Sequence, residues 1–276
     1  MAIEIRKVSS KKELKKFIRF NYELYKDNPY SVPDLFDGMV DTFDPHKNSA
    51  FEVCEAEYFL AYKKDKIVGR IAAIIHHEAN KVWNKKAVRF GWIDFIDDPE
   101  VSKALLETVE QWGKSKGMTE IHGPLGFTDL DALGLLVEGF DQLSTMATIY
   151  NYPYYSNHLE ALGYDKDVDW VEFKITIPEG IPEKHQRITN IVQENKLRIK
   201  KYSSGKKIAA DYGDAIFQLM NEAYSSLYGY APLKQGQIDQ YVKMYLPLLD
   251  LRMVTLVVDE NDELVAFGVS MPSLSE

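Results

Sequence analysis

The run Thr148 to Tyr155, TIYNYPYY, gathers Tyr150, Tyr152, Tyr154 and Tyr155 around one amide, Asn151. Rings with an apolar body and a polar tip line pockets for small polar or aromatic ligands. The same residues can also pack a long loop onto a sheet and give their hydroxyls to backbone groups. Both readings stand at this point. His122, beside Gly123-Pro124, can face the same cleft or serve as a structural histidine. Asp129, Asp131 and Glu138 can supply carboxylates that take a proton from an amine, unless they are simply solvated loop residues. The substrate-binding expectation rests on Tyr150, Asn151, Tyr152, Tyr154, Tyr155 and His122, with a small-molecule amine or amino-acid-like ligand. No residue is assigned as catalytic.

His76-His77-Glu78 invites a metal reading, but it lacks the i, i+4 histidine spacing of HExxH. Adjacent histidines at a strand end point to opposite faces, so no metal site is expected. The sequence holds no G-x-S-x-G, Walker loop or dinucleotide fingerprint. Its only cysteine, Cys54, excludes an intramolecular disulfide and any cysteine cluster.

These residues hang on the stretch Arg89 to Gly126, which reads as strand, acidic turn, amphipathic helix and strand. Asp98 can cap the helix, Pro99 suits its first turn, and Glu100 suits the positive end of its dipole. Val101, Ala104, Leu105, Thr108, Val109 and Trp112 fall on one face. Gly117 stops the helix. Such a βαβ unit is the usual cradle for a phosphate-bearing cofactor. Its turn, Ile96-Asp97-Asp98-Pro99-Glu100, has no glycine, loses one N–H at Pro99, and sets three carboxylates where phosphates would lie.

The chain has 276 residues, 45% hydrophobic and 12% aromatic, enough for a sizeable core and comfortable for two domains. A net charge of −9 argues against a nucleic-acid or anionic-membrane surface. No apolar leader and no stretch of about 18 apolar residues occurs, so a cytoplasmic protein without a membrane partner is expected.

In order, Ile3 to Val8 reads as a strand, and Ser10 with Glu13 forms a capping box ahead of a helix through Tyr25. Residues 30 to 56 read as loop with short helical turns, and Tyr58–Tyr62 with Ile67–Ile75 as a hairpin. Loop, short helix and loop are expected from Phe127 to Tyr155. A helix over Ser156–Leu162 and a strand over Asp169–Ile175 follow. Then the opening recurs: Ile3 to Ser10 matches Leu197 to Ser204, a helix follows, and Phe59 to Ala72 corresponds to Thr255 to Val269. The expected domains are 1–176, a helical linker over 177–196, and 197–276 as the N-terminal part of a second copy. That second copy stops before its own βαβ unit, so the chain is expected to be a fragment of a longer protein.

The order strand, helix, hairpin, strand–turn–helix, strand, helix ending in Leu162-Gly163-Tyr164, strand resembles the GNAT acyltransferase fold. Three segments resemble the uncharacterised two-domain GNAT-like proteins of the YghO type more narrowly: FLAYKKDKIVGRIAAIIHHEAN, RFGWIDFIDDPEVSKALLETVEQWGKSKGMTEIHGPLG and LLVEGFDQLSTMATIYNYPYYSNHLEALGYDKDVDW. The resemblance implies an α/β (α+β) fold with a mixed, largely antiparallel sheet flanked by helices, repeated in tandem. It also implies N-acyl transfer from acyl-CoA to an amine. Active GNAT enzymes carry a Gly-rich Gln/Arg-x-x-Gly-x-Gly/Ala turn, which Ile96–Glu100 departs from, and often a tyrosine where this chain has Leu159. The first domain is therefore expected to bind no cofactor, and acetyl-CoA or another acyl-CoA to belong to the second copy. The rival expectation is a non-catalytic ligand-binding or interaction protein that kept the fold.

Overall fold

A computed structural model describes residues 2–145, 148–194, 196–245 and 249–272. The chain divides into two compact units, one made of residues 1–168 with Tyr228–Ala231, the other of Asp169–Leu227 with Pro232–Pro272.

The first unit opens with β1 (Glu4–Lys7) and α1 (Lys11–Tyr25). The capping box is present: Ser10 Oγ accepts from the Glu13 amide at 3.2 Å, and Glu13 accepts from the Ser9 amide at 2.9 Å. Ser10→Ala is expected to cost about 1 kcal/mol in urea unfolding. A loss no larger than that of Lys12→Ala would show that the box contributes nothing.

After α2 (Phe36–Thr42) and a 3₁₀ turn at Ser49–Glu52, the chain forms the hairpin of β2 (Cys54–Lys63) and β3 (Lys66–His76). Lys64 and Asp65 take positive φ at its tip. A short α3 (His77–Val82) follows. Then come β4 (Ala87–Phe95), α4 (Pro99–Ser115) and β5 (Glu120–His122). The sheet order is β1-β2-β3-β4-β5. All pairs are antiparallel except β4–β5, which is parallel because α4 crosses over between them.

Both faces of the sheet are covered. Val101, Leu105, Leu106 and Val109 of α4 pack with Ile71, Phe90 and Phe95 on one face. Phe17 and Ile18 of α1 pack with Phe43, Leu60 and Ile74 on the other. The buried face of α4 includes Ser102, Leu106 and Gly113, a small rotation from the expected stripe. Gly113 explains how close the helix lies: a Cβ there would meet Val88 Cγ1 at 2.5 Å. Gly91 plays the same part in β4, where a Cβ would meet the Leu125 carbonyl at 2.4 Å. Between Gly91 and Asp94 the register with β3 shifts, and Trp92 takes a φ of 43°. This bulge re-aims Trp92 onto Phe43 and Phe127.

The short helix expected between Phe127 and Tyr155 does not form among the described residues. The segment is pinned instead by side chains, with Asn151 bonding both backbone groups of Leu136 and Ser144 bonding the Tyr30 carbonyl. It ends in α5 (Tyr154–Ala161), closed by Gly163 at a φ of 86°.

In the second unit, the strand expected over Asp169–Ile175 is not formed among the described residues, although the alternation is there. Beyond it lie α6 (Glu183–Glu194), β6 (Arg198–Lys200), α7 (Gly205–Tyr224), α8 (Gln235–Tyr245), β7 (Val254–Val258) and β8 (Leu264–Val269). The repeat is visible in the pairing. β6 runs antiparallel to the first strand of the β7–β8 hairpin, as β1 does to β2. α7 lies over its sheet through Ile208 and Tyr212, with α8 added after it.

Candidate functional site

The end of β4 and the start of α4 are where this architecture concentrates its polar groups. Helix α4 begins with amides that an anion would otherwise use. Pro99 has no N–H, the Glu100 amide donates to the Asp98 carboxylate at 3.0 Å, and the Val101 and Ser102 amides donate to the Asp98 carbonyl at 2.9 and 3.3 Å. Lys63 grips the other Asp98 oxygen at 2.7 Å, and this bond holds the carboxyl below its ordinary range. Asp97 meets His158 Nε2 at 2.9 Å, while His158 Nδ1 lies 2.9 Å from Ser102 Oγ. The groove along Pro99, Lys103, Asn157 and Leu162, about 300 Å³, thus has a floor already bonded. The diphosphate of acyl-CoA does not fit here. Its donors are spent on Asp98, and Asp97, Asp98 and Glu100 repel it.

The edge of β4 is occupied as well. The Phe95 N–H donates to Tyr155 Oη at 3.2 Å, and the Phe95 carbonyl accepts from Tyr154 Oη at 2.5 Å. Further back, the Leu125 amide donates to the Phe90 carbonyl at 2.8 Å.

Under that edge lies a polar cluster that sequence reasoning missed. Arg70 Nε and Asp94 Oδ2 are 2.7 Å apart, both nearly fully buried. Asp94 also accepts from Asn21, Tyr25 and Tyr155. Arg70 donates to the Phe17 carbonyl at 3.1 Å and lies over the Phe17 ring. Burial first, and the Asp94 charge after it, push the Tyr25 and Tyr155 hydroxyls well above their ordinary value, so both remain neutral donors. The signal in the sequence was an arginine inside VGRIAAII and an aspartate inside WIDFI, charges set in apolar runs.

The tyrosine run is brought together as a stack. Tyr152 stacks on Tyr154 with centroids 5.6 Å apart, and Tyr154 packs on Tyr155. Tyr150 Oη bonds the Phe140 carbonyl and Tyr152 Oη the Leu24 carbonyl, and Asn151 holds Leu136. The hydroxyls therefore meet backbone and Asp94, and the rings of Tyr150 and Tyr152 flank Tyr25.

His122 lies apart from that stack. Its Nε2 is 2.5 Å from Tyr228 Oη, which also bonds Asp167, and burial lowers its pKa, so the ring is neutral. Tyr228–Ala231 threads into the first unit here: Arg89 donates to the Gly126 and Gly229 carbonyls and Trp83 to the Tyr230 carbonyl. Around Arg89 stand Asp129 and Asp131, while Glu138 is exposed. Burial pushes the Asp131 carboxyl up to about 6, against the pull of the Thr128 and Phe127 amides, with Asp34 adding a like charge. A carboxylate with that value can take a proton from an amine near neutrality.

The folded-state value of Asp131 lies above that of the unfolded chain, so ionising it costs more in the fold. Stability is unaffected below about pH 4 and falls as pH rises toward about 6. The loss comes to about 2 kcal/mol once partial solvent access is allowed for. Relative to Asp131→Asn, the natural chain should lose that amount between those two pH values in urea titrations. A pH-independent difference would remove the burial argument.

His76 and His77 separate as expected, His76 capping α3 through Nδ1 and His77 pairing with Glu55. Among the described residues no group of histidine, cysteine and carboxylate side chains is arranged to hold a metal, and no helix is long and apolar enough to cross a membrane.

The fold is that of the GNAT-like acyltransferases, with a mixed, largely antiparallel sheet and a tandem layout. A tandem GNAT protein from the clavulanic acid biosynthesis pathway superposes over 98% of this chain and 75% of its own, with a TM-score of 0.51 and 11% identity. In sequence, the chain is similar to Protein YghO of Escherichia coli, 27% identical over 99% of this chain and 69% of that protein. It is equally similar to the bacterial ceramide synthase of Caulobacter vibrioides, 27% identical over 98% of this chain and 70% of that protein. No family model matches the chain.

Proposed function

We propose that the protein is an N-acyltransferase of the GNAT superfamily, which joins an acyl group from acyl-CoA to the amine of a long-chain base. The observation that carries this reading is the similarity, along nearly the whole chain, to a protein named a ceramide synthase. A ceramide is a long-chain amide, so the amine nitrogen bonds the thioester carbonyl carbon, the C–S bond breaks, and the thiolate leaves as CoA thiol. The proton lost by nitrogen needs an acceptor, and Asp131 has the fitting value.

The first unit takes the acceptor side of this reaction. Its α4 amides and β4 edge are filled by Asp98, Tyr154 and Tyr155, which leaves no usual place for acyl-CoA. We assign the donor to the second repeat. The recurrence there of the strand, helix and hairpin of the first unit supports this reading.

The test uses the protein with palmitoyl-CoA and a sphingoid base. Thiol release should match amide formation by mass spectrometry, and short polar amines should be poor acceptors. Glu100→Gln should leave the KM for palmitoyl-CoA within about twofold, because that carboxylate is placed outside the donor site. A large drop in KM would return the donor to α4. The filled helix start favours one rival, a ligand-binding protein without chemistry. Sphingoid-base binding without any thiol release would decide for it.

A further inference from the structure

Helix α1 turns its two sides to different surroundings. Phe17, Ile18, Phe20 and Tyr25 are buried against the sheet of the first unit. At about 100° per residue, Lys11, Lys12, Lys15, Lys16, Arg19 and Lys26 fall within an arc of about 140° on the other side. All six are exposed. Glu23 is the one carboxylate of the helix within that arc, and Glu13 is held in the cap. Among the described residues, Lys7, Lys47, Lys63 and Lys116 are drawn into ion pairs with carboxylates, whereas none of the six forms one. The chain's net charge of −9 conceals this stripe, because the carboxylates are placed elsewhere. Beside it runs a groove of about 360 Å³, walled by Phe20, Leu24, Ile67 and Ile96, with Lys16, Arg19 and Glu23 along it.

We propose that this side of α1 docks on a bilayer surface that contains anionic phospholipid. The cations meet headgroup phosphates, and the groove takes part of an acyl chain from a lipid held at Lys16 and Arg19. Cations beside an apolar groove suit an amphiphilic anion, which carries a charge and a chain together. The apolar side of the helix is committed to the core, so the contact stays at the headgroups and the helix does not insert. RNA is disfavoured as occupant. No aromatic ring is exposed on the arc for bases to stack on, and an apolar groove offers nothing to a sugar–phosphate backbone. Such a surface is also where a long-chain base resides, but docking needs no acyl transfer, so the two are tested apart.

Co-flotation of the natural chain tests this with vesicles of phosphatidylcholine alone and of phosphatidylcholine with about 30% phosphatidylglycerol. The chain should float with the anionic vesicles only. It should come off as NaCl rises from about 0.1 to about 1 M, where screening shortens from about 10 to about 3 Å. Each cation near such a surface multiplies affinity about fivefold, so Lys12→Gln with Lys15→Gln should weaken binding about 25-fold. Lys103→Gln with Lys114→Gln removes the same charge from α4, on the opposite face of the sheet, and should change binding less than about twofold. Both variants should keep the urea midpoint of the natural chain, since all four side chains are exposed. Equal flotation with neutral vesicles overturns the proposal, as does no flotation with either, a contact that salt does not weaken, or equal losses from α1 and α4. So does binding of single-stranded RNA that is tighter than binding of the anionic vesicles.

Discussion

Asp94→Ala is expected to lower the stability of the first unit by about 3–5 kcal/mol, enough to unfold a marginal domain. The carboxylate is 4% exposed and accepts from Arg70 at 2.7 Å, Asn21 at 3.1 Å, Tyr25 at 3.1 Å and Tyr155 at 3.2 Å. Removing it leaves the guanidinium charged and buried, with the Phe17 and Ile18 carbonyls as its remaining hydrogen-bond acceptors among the described residues. It also takes an acceptor from two hydroxyls that burial keeps protonated. The double change Arg70→Met with Asp94→Leu removes both charges and should recover most of the loss, because the cost of a buried pair is chiefly that of leaving one partner behind. Urea unfolding followed by tyrosine fluorescence measures both. A loss below about 1 kcal/mol for Asp94→Ala would mean that water reaches Arg70 and the cluster is not closed.

Phe95→Ala should cost a similar amount, about 3–5 kcal/mol, for a different reason. Its ring has no exposure, stacks on Tyr155 at 4.3 Å and 27°, and touches Tyr154 and His158. The backbone at position 95 would still bond both tyrosines, so the void opens under α5 while its anchors remain. Partial collapse of α5 into the space would reduce the cost, and a value near 1 kcal/mol would show that α5 is loosely held. The two changes share Tyr155, so the double variant should not show their sum.

Much of the first unit was legible because its elements carry local signals. Ser10 and Glu13 mark the start of α1, Asp98-Pro99-Glu100 that of α4, and Gly163 the end of α5, and the structure uses each as a local rule predicts. The Arg70–Asp94 pair was hidden because its partners, Asn21, Tyr25 and Tyr155, come from elements far apart in sequence. The segment after Phe127 was misread for the opposite reason. Its conformation is set by single side-chain bonds such as Asn151 to Leu136, which leave no periodic pattern. Asp169–Ile175 shows that a strand pattern names a disposition, and a ladder needs a neighbour to realise it. Asp131 stood among the expected carboxylates, but its raised value comes from burial, which outweighs the pull of the Thr128 and Phe127 amides and which no spacing announces.

Asp98 carries a further consequence when the start of α4 is treated as a competition for one site. The helix already holds an anion, tethered one residue away and neutralised by Lys63. Even a flexible tether presents its group at an effective concentration in the millimolar range, and a rigid one at more. A free phosphate ester at micromolar concentration would have to displace a resident competitor that never diffuses away. Any return of this helix to anion binding must therefore begin with the loss of its own carboxylate, and only then with the gain of glycines.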